Sequence, residues 1–267
     1  MFEAALALAM IFLPGVEGKI ESGNLQVLAW LQAEESVESQ SVSEDILSAA
    51  KRMVDLQTDY RFNFPTIEYP FGDVPSDWGL CCDVVVRACR AAGIDLQELV
   101  YEDSHREREL YIEANRRQNF ARPLNRSWIH RRTSNLNLFL QRYAQVLPTR
   151  YDSTRPEEWQ PGDIVIYQKY QDLTWHIAIV SDDVDSFTGI PKVIDAWLNP
   201  GHVSEDHRLT DHGAIGGHYR LADSFRASLS EEHREAAIAA WKEFIGDEDE
   251  SDQRLAESTE EIEPSSL

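Results

Sequence analysis

Cysteine is scarce in this 267-residue chain, and its three copies, Cys81, Cys82 and Cys89, fall close together. So tight a cluster cannot staple distant segments, and an odd number leaves at least one thiol unpaired in a monomer. No CxxC pair occurs, which removes zinc ribbons and thioredoxin-type redox motifs. Lysine is also rare (Lys19, Lys51, Lys169, Lys192, Lys242), and acids outnumber bases by 47 to 25, for a net charge of -22. No stretch is basic enough to neutralise a phosphate backbone, so nucleic acid is not an expected partner. The longest apolar run, Ala4 to Pro14, falls short of the roughly 20 residues that a spanning helix needs, so no integral membrane segment is expected.

The two ends differ from the middle. Phe2 to Pro14 has the apolar centre of a secretory leader, but Glu3 stands where a positive charge belongs, and no small-x-small cleavage site follows. A leader, a short buried helix and a mis-assigned start remain open. The expected location is periplasmic or exported if residues 1–18 act as a leader, and cytoplasmic otherwise. Ala33 to Ser43 reads as a polar linker. From Asp247 onward nine acidic residues accompany one base, Arg254. Such a segment cannot bury enough apolar surface to fold, so 247–267 reads as a disordered acidic tail. The expected organisation is an extension over 1–43, one domain over 44–246, and the tail. Nothing in the sequence sets the oligomeric state.

Within the domain, helical spacing comes first. Ser43 is placed to cap a helix carrying Ile46, Leu47, Ala50, Met53 and Val54. Pro65, Pro70, Gly72 and Pro75 mark a loop. Cys82 to Ala92 is an apolar helix stopped by Gly93, Asp95 to about Asn119 a charged helix, and Asn135 to Leu147 an amphipathic one. After Pro156 the period becomes strand-like. Ile164 to Tyr167, Trp175 to Ser181, Lys192 to Trp197 and Ile215 to Leu221 are the predicted strands, and Ser230 to Ile245 a closing helix. Helices followed by a meander of strands predict an α+β fold with an antiparallel sheet.

Three places carry chemistry. A cysteine between a Gly-containing loop and a helix, as in Gly79 to Asp83, sits in the positive field of the helix start, which favours thiolate. Cys81 is at that junction and Cys82 is one step inside; equally, all three thiols are suited to be small hydrophobes in a core. His176 begins a strand on the face it shares with Ala178 and Val180, a face with room for a packed helix. Asp195 alternates with Ile194 on an apolar strand, where a carboxylate is costly unless paired. An imidazole N–H from the neighbouring strand would pair it and fix the ring's tautomer. Trp78 and Tyr69 flank the loop as candidate cleft walls. The guanidinium of Arg131, within His130-Arg131-Arg132, suits a substrate carboxylate or a structural ion pair. His202, His207, His212 and His218 match no standard zinc spacing and read as a solvated polar loop. No metal or cofactor is expected.

The order of these motifs resembles the papain-like NlpC/CHAP superfamily of bacterial cysteine peptidases and amidases. Within it, the chain is similar to the YijF-like domain-of-unknown-function family 1287. The matching stretches are Tyr69 to Pro75, Gly79 to Ala88, Asp95 to Val100, Ile129 to Arg132 with Asn135 and Leu136, Trp159 to Tyr167, and His176 to Asp182. They span roughly residues 44 to 220. The resemblance implies a papain-like core with N-terminal helices packed on a short antiparallel sheet. It also implies Cys81 as nucleophile, His176 as base, and a third polar residue on the sheet. Cys82 stands where the family pattern has Thr, while Asp195 and Ala196 stand where it has His and Asn.

The expected activity is cysteine-dependent amide hydrolysis in bacterial cell-wall (peptidoglycan) peptides, with a peptide or peptidoglycan fragment as substrate. The alternatives are a non-catalytic binding module on the same fold, or a zinc-dependent hydrolase.

Overall fold

The computed structural model describes residues 40–117, 124–169 and 174–246. The expected leader and acidic tail lie outside them. The chain divides between Gln40 and Ser41, and the unit beginning at Ser41 holds all the elements that follow. Helix α1 (Val42–Asp55) precedes a short parallel pair, β1 (Asp59–Tyr60) and β2 (Trp78–Gly79). Next come α2 (Cys81–Ala91), α3 (Leu96–Arg106), α4 (Arg108–Arg117), a 3-10 turn at Ile129–Arg131 and α5 (Thr133–Tyr143). The second half contains β3 (Gln145–Val146), β4 (Ile164–Gln168), β5 (Thr174–Val184), β6 (Pro191–Ala196), β7 (Val203–Ser204) and β8 (Ala214–Arg220). Helices α6 (Asp223–Ser228) and α7 (Glu231–Ile245) close the unit. Strands β3 to β8 form one sheet in the order β3-β8-β4-β5-β6-β7, antiparallel throughout. The α+β architecture with an antiparallel sheet is therefore present.

Alternation explains how the sheet sits. Ile164, Ile166, Ile177, Ile179, Ile194 and Ala196 pack with α1, α2 and α5 in the main core. Val165, Tyr167, Ala178, Val180 and Val193 fill a smaller core on the opposite face with Trp159 and Leu209. Both faces are thus covered. Each fully buried aliphatic side chain stabilises the fold by about 1.5–3 kcal/mol.

Helix α2 is buried from Cys81 to Arg90, including two arginines. Arg87 pairs with Asp73 at 2.8 Å and donates to the carbonyls of Val74, Pro75 and Trp78. Arg90 pairs with Asp95 at 2.6 Å and reaches Asp73 and the Gly72 carbonyl. The proline-punctuated loop that leads to Cys81 is therefore clamped by the helix it feeds. Arg87 also lies 4.1 Å from the Phe244 ring, which brings α7 against the same helix.

Several local expectations shift. The cap of α1 is Ser41, not Ser43; its hydroxyl accepts from the Glu44 N–H while Glu44 accepts from the Ser41 N–H. That reciprocal pairing satisfies two end groups and extends the helix by two residues at its start. The charged helix expected over Asp95 to Asn119 is two helices, because Asp103 folds inward to accept from Tyr111 and Tyr143 and the chain breaks at Glu107. The short strands β3 and β7 are too brief for periodicity to reveal.

The turn before β4 is fixed from both sides. Gly162 has φ +86, and a Cβ there would lie 2.2 Å from the Ser43 carbonyl oxygen. Beside it, fully buried Asp163 accepts from His218 (2.9 Å) and from Arg220 at two positions (2.6 and 2.8 Å). Asp163→Ala leaves these donors facing an apolar gap. The expected loss of stability is about 3–5 kcal/mol by denaturant unfolding, the range for breaking a buried pair from one side.

Candidate active site

Cys81 is the first residue of α2, preceded by Leu80 in an extended conformation. The first-turn N–H groups of a helix have no acceptor within the helix, and they leave a positive field at the thiol. Asp83 accepts from the Leu80 N–H at 2.6 Å and is gripped by Arg131, Nε to Oδ1 at 2.7 Å and Nη2 to Oδ2 at 2.8 Å. Burial alone would raise the Asp83 carboxyl, but the Arg131 bonds and charge hold it below its ordinary range. Gly79 fits because a Cβ there would come within 3.1 Å of both Arg87 and Asp83. These contacts fix where the helix begins, and so where the sulfur sits.

His176 reaches the thiol from the start of β5. Its Nε2 lies 2.5 Å from Asp195 Oδ2 on β6. The other ring nitrogen, Nδ1, has no conventional hydrogen bond, and the ring interacts with Cys81. The expected face assignment is corrected here. His176, Ala178 and Val180 do alternate with Ile177 and Ile179, but the isoleucine face carries α2. Imidazole and thiol interact, His176 standing near the start of β5 and Cys81 at the first residue of α2.

The electrostatics favour an ion pair. Hydrogen bonding from Cys82, the His176 charge and the Ile177 N–H lower the Cys81 thiol well below its ordinary value, against the effect of burial. Burial disfavours the His176 cation, yet Cys81 and Asp195 together push that ring up to about 9. Asp195 is held far below the usual carboxylate range: three imidazoles on it outweigh its burial. Cys82 is raised by its bond to Cys81 and by burial, and its sulfur lies 3.6 Å from Thr133 Oγ1. Cys89 is raised by burial.

The histidines expected to form a solvated loop do not. His212 and His218 are buried, and His207 is partly so. His207 Nδ1 is 3.1 Å from Asp195 Oδ1, and His212 Nε2 is 2.7 Å from Asp195 Oδ2. His218 belongs to Asp163 instead, while His202 contacts the Val203 carbonyl. Spacings of five residues in an irregular segment carry no periodic signal. The one clue available was Asp195 itself, a buried carboxylate with more acceptor sites than one histidine can fill.

A cleft of about 230 Å³ opens beside the thiol, lined by Tyr60, Phe62, Phe64, Trp175 and Trp197 with Leu80, Cys82 and the Arg131–Ser134 segment. Tyr60 is pushed up to about 12 by burial and by the neighbouring thiols. Of the residues expected to bind substrate, Arg131 lines this cleft, with Nη1 unpartnered while its other nitrogens hold Asp83. Trp78 is buried behind it, 5.8 Å from the Arg131 guanidinium. Tyr69 packs on Tyr101, outside the cleft. His130 is buried, and desolvation lowers it to about 3, so it is a neutral core residue.

Residues 47–221 match the model of a family described as a domain of unknown function, DUF1287. The chain belongs to the DUF1287 family. It is 33% identical over 175 residues to the uncharacterized protein YijF of Escherichia coli (strain K12), covering 66% of this chain and 80% of that protein. No solved structure matches it. The DUF1287 region contains Cys81, His176 and Asp195 together with His207 and His212, and stops short of α6 and α7.

Alkylation separates the three thiols of this DUF1287 protein. Iodoacetamide is expected to label Cys81 first, with an apparent pKa below the roughly 8.5 of a free thiol. In His176→Ala burial is left unopposed by the imidazolium, and the labelling curve moves to higher pH. Peptide mapping by mass spectrometry reads both.

Proposed function

We propose that this protein is a papain-like cysteine amidase or peptidase of the NlpC/CHAP type, acting on peptide amide bonds such as those of bacterial cell-wall fragments. The observation that carries this reading is the convergence of Cys81, His176 and Asp195 from a helix start and two strands. Asp195 holds Nε2 of His176, and Cys81 interacts with the same ring. A purely structural cysteine needs none of these partners. The resemblance of the motifs to the superfamily supports the same reading.

The chemistry follows from the positions. The Cys81 sulfur attacks the amide carbon, and the carbonyl oxygen gathers negative charge beside the unpaired N–H groups of the helix start. His176 gives its Nδ1 proton to the departing amine as the C–N bond breaks, leaving a thioester on Cys81. Water then enters with His176 as base, the C–S bond breaks, and carboxylic acid and thiol are restored. Asp195 holds the ring by Nε2 through both halves and stabilises its cationic form. The aromatic cleft walls offer apolar contact to the acyl side, while buried Arg131 is committed to Asp83 and holds the helix start.

Amine release from purified wall digests tests the reading. Cys81→Ala is expected to abolish turnover, and Asp195→Asn to lower kcat on the order of 100-fold or more by releasing the ring. The active form carries thiolate and imidazolium, so activity is present once Cys81 is ionised and falls as pH rises through about 9, where His176 loses its proton. A rate unchanged by Cys81→Ala overturns the proposal.

A further inference from the structure

Asp195 carries two more imidazoles than a Cys–His–Asp arrangement needs, and one of them, His212, is badly aimed for a hydrogen bond. His212 is 7% exposed, and its Nε2 lies 2.7 Å from Asp195 Oδ2. Even so, this nitrogen makes no hydrogen bond, so the carboxylate oxygen lies off the direction a ring N–H would take. His176 Nε2 is 2.5 Å from the same oxygen. One donor atom from each of His176, His212 and Asp195 lies within 4.8 Å of the others. Two imidazole nitrogens and one carboxylate oxygen are the donor set of an open zinc-type site, with bonds of about 2.0–2.2 Å. His207, on the other carboxylate oxygen at 3.1 Å, would fix the orientation of that ligand.

We propose that His176, His212 and Asp195 bind a divalent transition-metal ion of the zinc class, and that its binding silences the thiol site. The inhibitory half rests on the function proposed above; the binding half does not. The ion takes the Nε2 position of His176, displacing its proton and the bond to Asp195. The ring keeps a proton on Nδ1 but, being neutral and metallated, is too weak an acid to protonate the departing amine and no longer supplies the positive charge that favours the Cys81 thiolate. Attack on the amide and release of the amine therefore stall. Cys81 is not among the residues whose donor atoms cluster here, and in the proposed site it stays outside the coordination sphere. This distinguishes the site from simple capture of metal by a reactive thiol.

Cobalt(II) titration of the full chain tests this by absorption, without any turnover. The expected result is one equivalent bound, with visible bands of tetrahedral type and no near-ultraviolet sulfur-to-cobalt band, unchanged in Cys81→Ser. In His212→Ala the apparent affinity should fall on the order of 100-fold or more. Should that variant unfold, cadmium-113 NMR of the unaltered protein gives the same answer, since nitrogen and oxygen ligation resonates far from sulfur ligation. A sulfur band that vanishes in Cys81→Ser, or affinity indifferent to His212, overturns the proposal. Metal binding that depends on His212 in a protein without hydrolase activity would leave the site standing and remove the hydrolase reading. Equal zinc inhibition of active wild type and His212→Ala would remove the site and keep the hydrolase.

Discussion

A fully buried carboxylate, Asp195, is the constraint around which this domain is arranged. Alone in an apolar strand it would cost several kcal/mol, and the chain meets that cost with three imidazoles, one from β5 and two from the segment between β7 and β8. The consequence reaches beyond stability. Holding Nε2 of His176 fixes the ring's orientation and favours its cationic form, which in turn favours ionisation of the neighbouring sulfur. One buried charge thus sets the protonation of a site that begins on another element entirely.

The helix side uses the same device. Arg87, Arg90 and Arg131 are almost completely buried, and each is tied to an aspartate and to loop carbonyls or the helix start. Replacing such pairs by apolar residues is often neutral for stability in other proteins. Here their value lies in position: they hold the loop, the extended Leu80 and the first turn of α2 in one register, so the thiol emerges where β5 begins. In the proposed hydrolase the sheet supplies the base and the helix the nucleophile, and the buried ion pairs align them.

Much of this was legible in the amino-acid sequence. The helical spacing of Ile46, Ala50 and Met53 and the alternation in Trp175 to Val180 revealed the layers, because burial imposes period on sequence. Cys81, His176 and Asp195 stood out by being polar or reactive at the edges of apolar runs. What stayed hidden depends on tertiary approach. Whether the His176 face or the Ile177 face meets α2 is not encoded in alternation, which separates two faces without saying which is covered by what. The histidines after β6 lie in irregular chain, where spacing says nothing about convergence, so His207 and His212 looked solvated. The break at Glu107 follows from Asp103 turning inward to two tyrosines, contacts that exist only once the helices pack.

The central claim is that sulfur and imidazole form a charged pair at rest. Nitrogen-15 NMR of histidine-labelled protein at neutral pH reads it directly. The account predicts that His176 has both ring nitrogens protonated in the unaltered chain, and that in Cys81→Ala, with the thiolate charge gone, the ring becomes neutral at distinctly lower pH. A His176 ring already neutral at neutral pH in the unaltered protein, with the same titration after Cys81 is removed, would contradict it.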